Sequence, residues 1–402
     1  MLIKSLKIRN LLSFGPETPE LGLKQLNVLI GPNGSGKSNF MEAISLLQAA
    51  PRDLSAPVKD VGGVQDWLWK GTPRPVASIE ATVKPPKGSM AIRHSLSFTE
   101  HGQRFELVDE RVENEAAYPG KPDPYFFYRY QNGRPVLNER SSLGRSLRQG
   151  GLNQTEAEGE ERPLKRETIN PEQSILSQVK DPERYPELAH LDNSYSRIAL
   201  FREWSFGRYT APRHPQKADL RNDFLSPAGD NLALVLNKIR PKVKARLNEA
   251  LTALYPAIED FDVQVEAGRV HLFLMEGNLS IPATRLSDGT LRYLCLLAIL
   301  CHPEPPPLIC IEEPELGLHP DVLPQIAKLL VEASERTQLI VTTHSDSIVD
   351  ALNDSPDSVV VCEKETDVTI MRRLEKERLG KWMEKYSLGR LWRMGELGGN
   401  RW

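Results

Sequence analysis

A phosphate-binding pattern lies near the start of the chain. Residues 31–38 read GPNGSGKS, which fits G-x-x-x-x-G-K-[ST], and an apolar run at 26–30 precedes them. A buried strand that ends in a tight glycine turn can point backbone N–H groups inward, and the N-terminus of the following helix attracts anions. In such a loop Lys37 reaches the β- and γ-phosphates, and the Ser38 hydroxyl is a ligand of Mg²⁺. The pattern therefore predicts a nucleotide site.

Polar side chains also follow two apolar runs in the second half of the chain. Residues 308–311 lead to Glu312 and Glu313, and residues 339–341 lead through two threonines to His344. Adjacent side chains at a strand end point in different directions, so one carboxylate can approach Mg²⁺ while the other faces an attacking water. His344 could contact a γ-phosphate or that water. A solvated acidic turn and a structural histidine are the alternatives when each motif is taken alone.

A third motif precedes these two. Ser287 and Gly289 stand just before a helical pattern of leucines at 294, 297 and 300. A small hydrogen-bonding residue at this position makes a helix N-terminus that can receive an anion. A plain N-cap explains the motif equally well when it is considered by itself.

The predicted elements place these motifs at the ends of strands. Parallel α/β sheets put ligand-binding loops at the carboxyl ends of neighbouring strands, so the two halves of the chain can serve one site. The patterns predict strands at 2–9, 24–30, 261–266 and 269–275, a helix at 37–49, an antiparallel β layer over 76–137 and helical structure over 228–256.

Composition excludes few classes of protein. The 402 residues carry 51 basic and 54 acidic side chains, so no overall basic field indicates nucleic acid, although a local patch stays possible. Neither a signal peptide nor an apolar run of membrane-spanning length is recognisable, and we expect a cytoplasmic protein without a membrane partner. The cysteines lack paired C-x-x-C spacing and are expected to be buried small apolar residues. They are Cys295, Cys301, Cys310 and Cys362.

Three segments leave their roles open. The polar span 140–172 is expected to be a mobile insertion. The aromatic residues at 125–130 could stack on bases, but an alternating strand more often buries them in a core. Trp392 and Trp402 in the C-terminal tail could dock a partner or pack back on the chain.

Taken in their order along the chain, the four motifs resemble those of the ATP-binding-cassette (ABC) ATPases. The resemblance is narrower to the branch that includes RecF, SMC proteins, OLD-type ATPases and predicted AAA-type ATPases. The resemblance covers roughly residues 1–50, 228–256 and 280–352. It implies an α/β P-loop ATPase head with a mixed or parallel core sheet, an antiparallel β layer and an α-helical lobe. No heptad pattern persists over several repeats between the two halves of the head, so we expect no long coiled coil like the arms of SMC proteins. The expected divisions are 1–139 and 261–362 for the two halves of the head, 140–227 for an insertion and connection, 228–260 for the helical lobe and 363–402 for the tail.

The resemblance also implies an ATPase with ATP and Mg²⁺ as cofactors. Glu313 would be the catalytic base and His344 the switch histidine, beside Lys37. The signature would contribute Ser287 and Gly289. The expected nucleotide-binding residues of the loop are Asn33, Gly34, Ser35, Gly36, Lys37, Ser38 and Asn39, and the expected metal ligands are Ser38, Glu312 and the Q-loop candidate Gln178.

The chain departs from the general cassette pattern at four positions. Asp288 replaces a glycine of the signature, Thr290 stands where Gln or Glu is common, Glu312 replaces an aspartate, and His319 replaces the D-loop aspartate. An acid at position 288 lies near the expected approach of phosphate. We therefore expect slow hydrolysis.

In the cassette family the signature faces an ATP that a second subunit holds, which implies a homodimer closed around ATP. The favoured hypothesis is a sensor or regulatory scaffold that controls a separately encoded effector in anti-phage defence. The stretch after residue 345 is too short for the TOPRIM nuclease of OLD-type relatives. The alternative is a RecF/SMC-like DNA-binding ATPase in DNA repair or maintenance.

Overall fold

The computed structural model describes residues 1–85, 90–131, 134–140, 159–165 and 169–399. The chain forms two compact units, each assembled from segments that are distant in sequence. The first unit comprises Met1–Leu23, Gly34–Ile198 and Glu363–Met371, and the second comprises Lys24–Asn33, Ala199–Cys362 and Arg372–Trp402.

Strands occur along the whole chain. They are β1 (Ile3–Arg9), β2 (Leu21–Gly22), β3 (Leu26–Ile30), β4 (Ala77–Val83), β5 (Ile92–His101), β6 (Arg104–Asn114), β7 (Phe126–Gln131), β8 (Arg134–Arg140), β9 (Gly159–Pro163), β10 (Ala199–Phe201), β11 (Gln216–Lys217), β12 (Ile258–Glu266), β13 (Arg269–Glu276), β14 (Leu279–Pro282), β15 (Leu308–Glu312), β16 (Gln338–Thr342), β17 (Val359–Glu365) and β18 (Val368–Arg373).

The α-helices lie between groups of these strands and after the last one. They are α1 (Lys37–Ala49), α2 (Ala56–Asp60), α3 (Val64–Trp67), α4 (Ile175–Gln178), α5 (Pro186–Ser196), α6 (Leu232–Leu254), α7 (Asp288–Leu300), α8 (Leu323–Ser334), α9 (Asp346–Asp350), α10 (Lys376–Met383) and α11 (Leu388–Arg393).

The first unit is built on an antiparallel sheet with the strand order β2–β1–β4–β5–β6–β7–β8–β9. Inward positions alternate along its strands, as the burial of Ile79 and Ala81 in β4 illustrates. Helix α1 buries Phe40, Ile44 and Leu47, which recur at helical spacing. The predicted antiparallel layer and the predicted helix at 37–49 are confirmed.

The second unit contains a sheet in which β10, β15, β16, β3 and β17 are neighbours in this order and run parallel. Its strands read as continuous apolar runs because both faces are covered. Helix α7 is buried on nearly every side, which its leucine-rich sequence requires. A smaller antiparallel sheet joins β11, β12, β13 and β14.

The predicted helical lobe is one long helix, α6, with an irregularity in its middle. Pro241 lies inside the helix, and Val243 has non-helical angles of φ −134° and ψ 24°. Proline removes a hydrogen-bond donor and collides with the preceding turn, so a kink at this point has a local cause. The sequence pattern alone predicts the helix but not the kink.

The structure decides between the alternatives for the aromatic cluster and tests part of the expected mobile insertion. Phe126, Phe127 and Tyr128 are buried in the first unit, so most of the aromatic cluster belongs to a core. Residues 159–163 form strand β9, so that part of the expected mobile insertion is wrong, because its backbone pairs with β8. Residues 141–158 and 166–168 lie outside the described residues.

Trp392 in the C-terminal tail and the four cysteines are buried. Trp392 is buried in the core of the second unit, and Asp350 anchors α11 by accepting a 2.6 Å hydrogen bond from the Gly389 N–H. Trp402 lies outside the described residues. All four cysteines are free and buried, as predicted.

Candidate functional site

The phosphate-binding loop joins the end of β3 to the start of α1, and its second half belongs to the first unit. Gly34 and Gly36 have φ values of +78° and +99°, which side chains with a Cβ rarely adopt. A Cβ at Gly36 would also lie 2.2 Å from Oγ1 of Thr369 and 2.9 Å from Oγ of Ser13. Both the backbone angle and the close approach therefore require glycine at position 36.

Thr369 and Ser13, which the sequence analysis missed, support this loop through hydrogen bonds. The buried Thr369 donates from Oγ1 to the Ser35 carbonyl at 3.0 Å, and its Oγ1 lies 2.7 Å from Oγ of Ser13. Ser13 in turn accepts a 2.7 Å hydrogen bond from Nδ2 of Asn39. The side chain of Asn39, predicted to bind nucleotide, is thus part of the loop's support. Isolated Ser and Thr residues give no signal in the sequence.

The loop offers groups that suit a phosphate ligand. Ser35 is 1% exposed, and its Oγ has no hydrogen-bond partner in the part of the chain that the structure describes. Lys37 is buried as well. Burying a hydroxyl group without a hydrogen-bond partner costs free energy, which a bound oxygen-rich ligand would offset. An anionic ligand with several oxygens fits this loop.

The second unit brings the other motifs to one edge of its parallel sheet. Glu312 in β15 lies opposite Thr342 in β16, and Thr342 lies opposite Leu29 in β3. The carboxyl ends of these three strands are therefore level. Within this unit, the acidic pair and the segment leading to His344 lie at the edge where β3 ends, as the sequence predicted.

Glu312 has a basic neighbour that the sequence analysis missed. Oε2 of Glu312 accepts a hydrogen bond from Nε of Arg202 at 3.2 Å, and the Glu312 carbonyl accepts one from Nε1 of Trp204 at 3.2 Å. Arg202 follows directly after β10, whose Phe201 pairs with Ile311. Because β10 has only three residues, its alternation is too short to be recognised in the sequence.

Glu313 has an unusual backbone conformation. Its φ is +45°, which is costly for a residue with a Cβ and persists only where its surroundings hold it. Its N–H donates to the Thr342 carbonyl at 3.1 Å, and its carbonyl accepts from Nη1 of Arg292 at 3.2 Å. Its Oε1 lies 3.4 Å from Nε2 of His344. The structure thus brings the two predicted catalytic side chains together.

A partly buried glutamate, Glu315, fixes the segment that carries the histidine. Oε1 of Glu315 accepts hydrogen bonds from Oγ1 of Thr343 at 2.8 Å and from the His344 N–H at 2.6 Å. Burial is the main cause that raises the pKa of Glu315 above the ordinary glutamate value. The sequence analysis did not identify Glu315 as part of the site.

The third motif opens α7. Oγ of Ser287 caps the helix by accepting a 3.0 Å hydrogen bond from the Thr290 N–H. A Cβ at Gly289 would lie 2.5 Å from the Gly317 carbonyl oxygen, so the turn at 317 packs directly on this glycine. Ser287 and Asp288 are exposed at the helix start. Capping and exposure are compatible, so the motif can be an N-cap and can also receive an anion at the helix N-terminus.

Comparison with known proteins identifies the family. The model of the family described as "AAA domain, putative AbiEii toxin, Type IV TA system" matches residues 26–350. The chain belongs to this family. Together with the similarities to RecF and to SMC heads, this membership confirms the predicted RecF/SMC-like P-loop ATPase family of the ABC type.

One curated protein is similar to part of this chain. The DNA replication and repair protein RecF of Exiguobacterium sp. strain AT1b is 25% identical over 177 residues, which cover 39% of this chain and 47% of RecF. The chain therefore matches about half the length of this curated relative.

Solved structures of SMC heads share the fold. The SMC head bound to the C-terminal winged-helix domain of ScpA has a TM-score of 0.59 at 14% identity, covering 95% of this chain and 100% of that one. An SMC head with an extended coiled coil, bound to the C-terminal domain of ScpA from Pyrococcus furiosus, has a TM-score of 0.55 at 15% identity, covering 96% and 99%. The predicted α/β ATPase-head fold is thereby confirmed.

One predicted site residue has a local structural role in this AAA-family chain. Oε1 of Gln178 accepts from the Asn170 N–H at 2.8 Å, and its Nε2 donates to the Gln173 carbonyl at 3.0 Å. Its assignment as a metal ligand stays a prediction.

No helix among the described residues is long and apolar enough to cross a membrane.

Proposed function

We propose that this AAA-family chain is a Mg²⁺-dependent ATPase. The observation that carries the proposal is the grouping of Glu312, Glu313 and His344 at the carboxyl ends of β15 and β16, level with the end of β3. Strand β3 leads into the phosphate-binding loop. A binding module that only held a nucleotide would not need a strained acidic residue with a histidine against it.

The cofactor roles follow the family resemblance. Residues of the loop from Asn33 to Asn39 would bind ATP, with the Lys37 ammonium group against its phosphates. Ser38 and Glu312 are each proposed as ligands of Mg²⁺, because hydroxyl and carboxylate oxygens are the donors that this ion prefers. Bound Mg²⁺ would neutralise charge that develops on the transferred phosphoryl group.

The reactive step would depend on Glu313 and His344. The carboxylate of Glu313 would orient the attacking water and accept its proton. His344 lies 3.4 Å from that carboxylate, near enough to fix its orientation while its ring faces the same water or the γ-phosphate. Glu315 holds the His344 backbone, and Arg292 holds the Glu313 carbonyl, so both side chains start from fixed positions.

Two chains would share each ATP. Ser287 and Gly289 of the partner subunit would face the nucleotide that the first subunit holds in its phosphate-binding loop. The exposure of Ser287 at the start of α7 supports this arrangement, since a helix N-terminus attracts phosphate. ATP would then favour the homodimer, and hydrolysis would release it.

Two substitutions test the ATPase proposal. Lys37→Ala should largely abolish ATP binding, because it removes a positive charge at the phosphates. Glu313→Gln should leave binding within about twofold while it slows hydrolysis by about a hundredfold or more, the usual contribution of a general base. Nucleotide affinity and phosphate release should be measured separately. Equal loss of nucleotide affinity in both variants would contradict the assigned roles.

For the biological role, we propose a sensor or regulatory scaffold in anti-phage defence that controls a separately encoded effector. The family description, which includes a putative toxin of a toxin–antitoxin system, fits the part of this proposal that concerns defence. The similarity to RecF supports the alternative, a DNA-binding ATPase in DNA repair or maintenance.

DNA-binding measurements separate the two roles. The scaffold proposal expects ATP to leave the affinity for duplex, single-stranded and gapped DNA unchanged, and expects the purified chain to cut none of them. ATP-dependent binding that Lys37→Ala abolishes would favour the RecF-like alternative. Metal-dependent cleavage that survives Lys37→Ala would contradict both roles.

A further inference from the structure

The segment that opens α7 contains a charge that is unfavourable for its proposed role. Asp288 is the first residue of the helix, and its side chain is 67% exposed. A carboxylate beside an incoming phosphate repels it, and the repulsion is strong where water is excluded. The inference below rests on the proposed shared ATP site, because only that site brings a phosphate to Ser287.

A buried arginine contacts this segment on both sides of Ser287. The Arg213 side chain is 10% exposed and lies at the end of the short 3₁₀ helix Ala211–Arg213. Its Nη2 donates to Oδ1 of Asp288 at 2.5 Å, and its Nη1 donates to the carbonyl oxygen of Leu286. One guanidinium group therefore binds the residues immediately before and after Ser287.

The same guanidinium group is itself fixed. The Phe206 carbonyl accepts from Nη2 of Arg213 at 3.0 Å and from Nε at 3.3 Å, and the Thr284 carbonyl lies 3.4 Å from Nη1. Arginine stays protonated at all relevant pH values, and its planar fork can serve several acceptors at once. The contacts hold the arginine in one orientation, so its charge has a defined position beside Asp288.

We propose that Arg213 is a positioning residue of the signature segment. Its charge neutralises Asp288, so that Ser287 and the N-terminus of α7 can approach a phosphate held by the partner subunit. The carbonyl groups of Phe206 and Leu286 hold the guanidinium group in place for this role. The acidic residue at position 288 is tolerated because Arg213 accompanies it. Arg213 would thus control the closing of two subunits on ATP, and not the binding of ATP by either subunit alone.

The test uses the Glu313→Gln background, in which ATP is retained. Arg213→Gln, Arg213→Lys, Asp288→Gly and the double variant Arg213→Gln/Asp288→Gly are compared. Binding of a fluorescent ATP analogue is measured at low protein concentration, and ATP-dependent dimerisation is measured by sedimentation velocity. Thermal melting checks that each variant folds.

We expect Arg213→Gln to weaken ATP-dependent dimerisation by about tenfold or more, the order of effect of losing one charge-assisted contact. The affinity for the ATP analogue should stay within about twofold. Arg213→Lys, Asp288→Gly and the double variant should all dimerise within about threefold of the parent, because each avoids an uncompensated carboxylate. Arg221→Gln is the matched control, since it removes an exposed arginine–aspartate pair of the same unit.

Three results would overturn the inference. Full dimerisation of Arg213→Gln would show that the pair is not needed. A double variant as weak as Arg213→Gln would show that the arginine acts only through the carbonyl groups and not through Asp288. A parent that binds the ATP analogue but never dimerises would refute the shared site together with the inference, while ATP binding itself would stand.

Discussion

Replacing Arg202 by glutamine should lower the Mg²⁺ concentration that the protein needs for ATP hydrolysis. Nε of Arg202 lies 3.2 Å from Oε2 of Glu312, and the two side chains are 24% and 17% exposed. If Glu312 is a ligand of Mg²⁺, the ion has to compete with this guanidinium group for the same carboxylate. Glutamine keeps a hydrogen-bond donor at position 202 but carries no charge.

The magnitude follows from the geometry of the pair. Two unit charges 3.2 Å apart attract each other by about 5 kcal/mol at an effective dielectric constant of about 20. Desolvation of the two groups offsets most of this attraction, which leaves about 1–2 kcal/mol. Since about 1.4 kcal/mol corresponds to a factor of ten in affinity, the half-saturating Mg²⁺ concentration should fall by about five- to thirtyfold.

The assay is a Mg²⁺ titration of phosphate release at saturating ATP, with Mn²⁺ binding followed by electron paramagnetic resonance as a readout that does not depend on turnover. Arg240→Gln is the matched control, because Arg240 forms a similarly half-buried pair with Asp260 elsewhere in the same unit. The control should leave both curves unchanged. An unchanged or higher Mg²⁺ requirement in Arg202→Gln would refute the reasoning.

Two further predictions address the shared site and the Glu315 carboxylate. Lys37→Ala and Ser287→Arg should each be nearly inactive. Their mixture should recover about a quarter of the wild-type ATPase activity, because half of the randomly mixed dimers contain one intact site out of two. No recovery after verified subunit exchange would contradict the shared site. Glu315→Gln should be more stable than the wild type at pH 8, because the raised pKa of Glu315 makes its ionisation unfavourable in the folded state. This difference should vanish as the pH falls below the ordinary glutamate pKa, and denaturant unfolding at several pH values measures it; a difference that stays constant with pH would contradict the argument.

Local patterns of residues were sufficient to predict several elements and motifs of this chain. The glycines at 34 and 36 and the residues that follow them predicted the loop and α1. Continuous apolar runs predicted β3, β15 and β16, and their polar ends predicted where Glu312 and His344 would lie. These signals are readable because they arise from residues that are close in sequence and repeat with the period of a helix or strand.

The residues that support and neutralise the site could be recognised only in the folded chain. Arg202 meets Glu312, Arg213 meets Asp288, and Thr369 meets Ser35 across long stretches of sequence. A single arginine or threonine looks the same in a sequence whether it is solvated or buried against such a partner. Its role depends on which strands become neighbours and on how much water their packing excludes. Neither the neighbours nor the exclusion of water is encoded in a local sequence pattern.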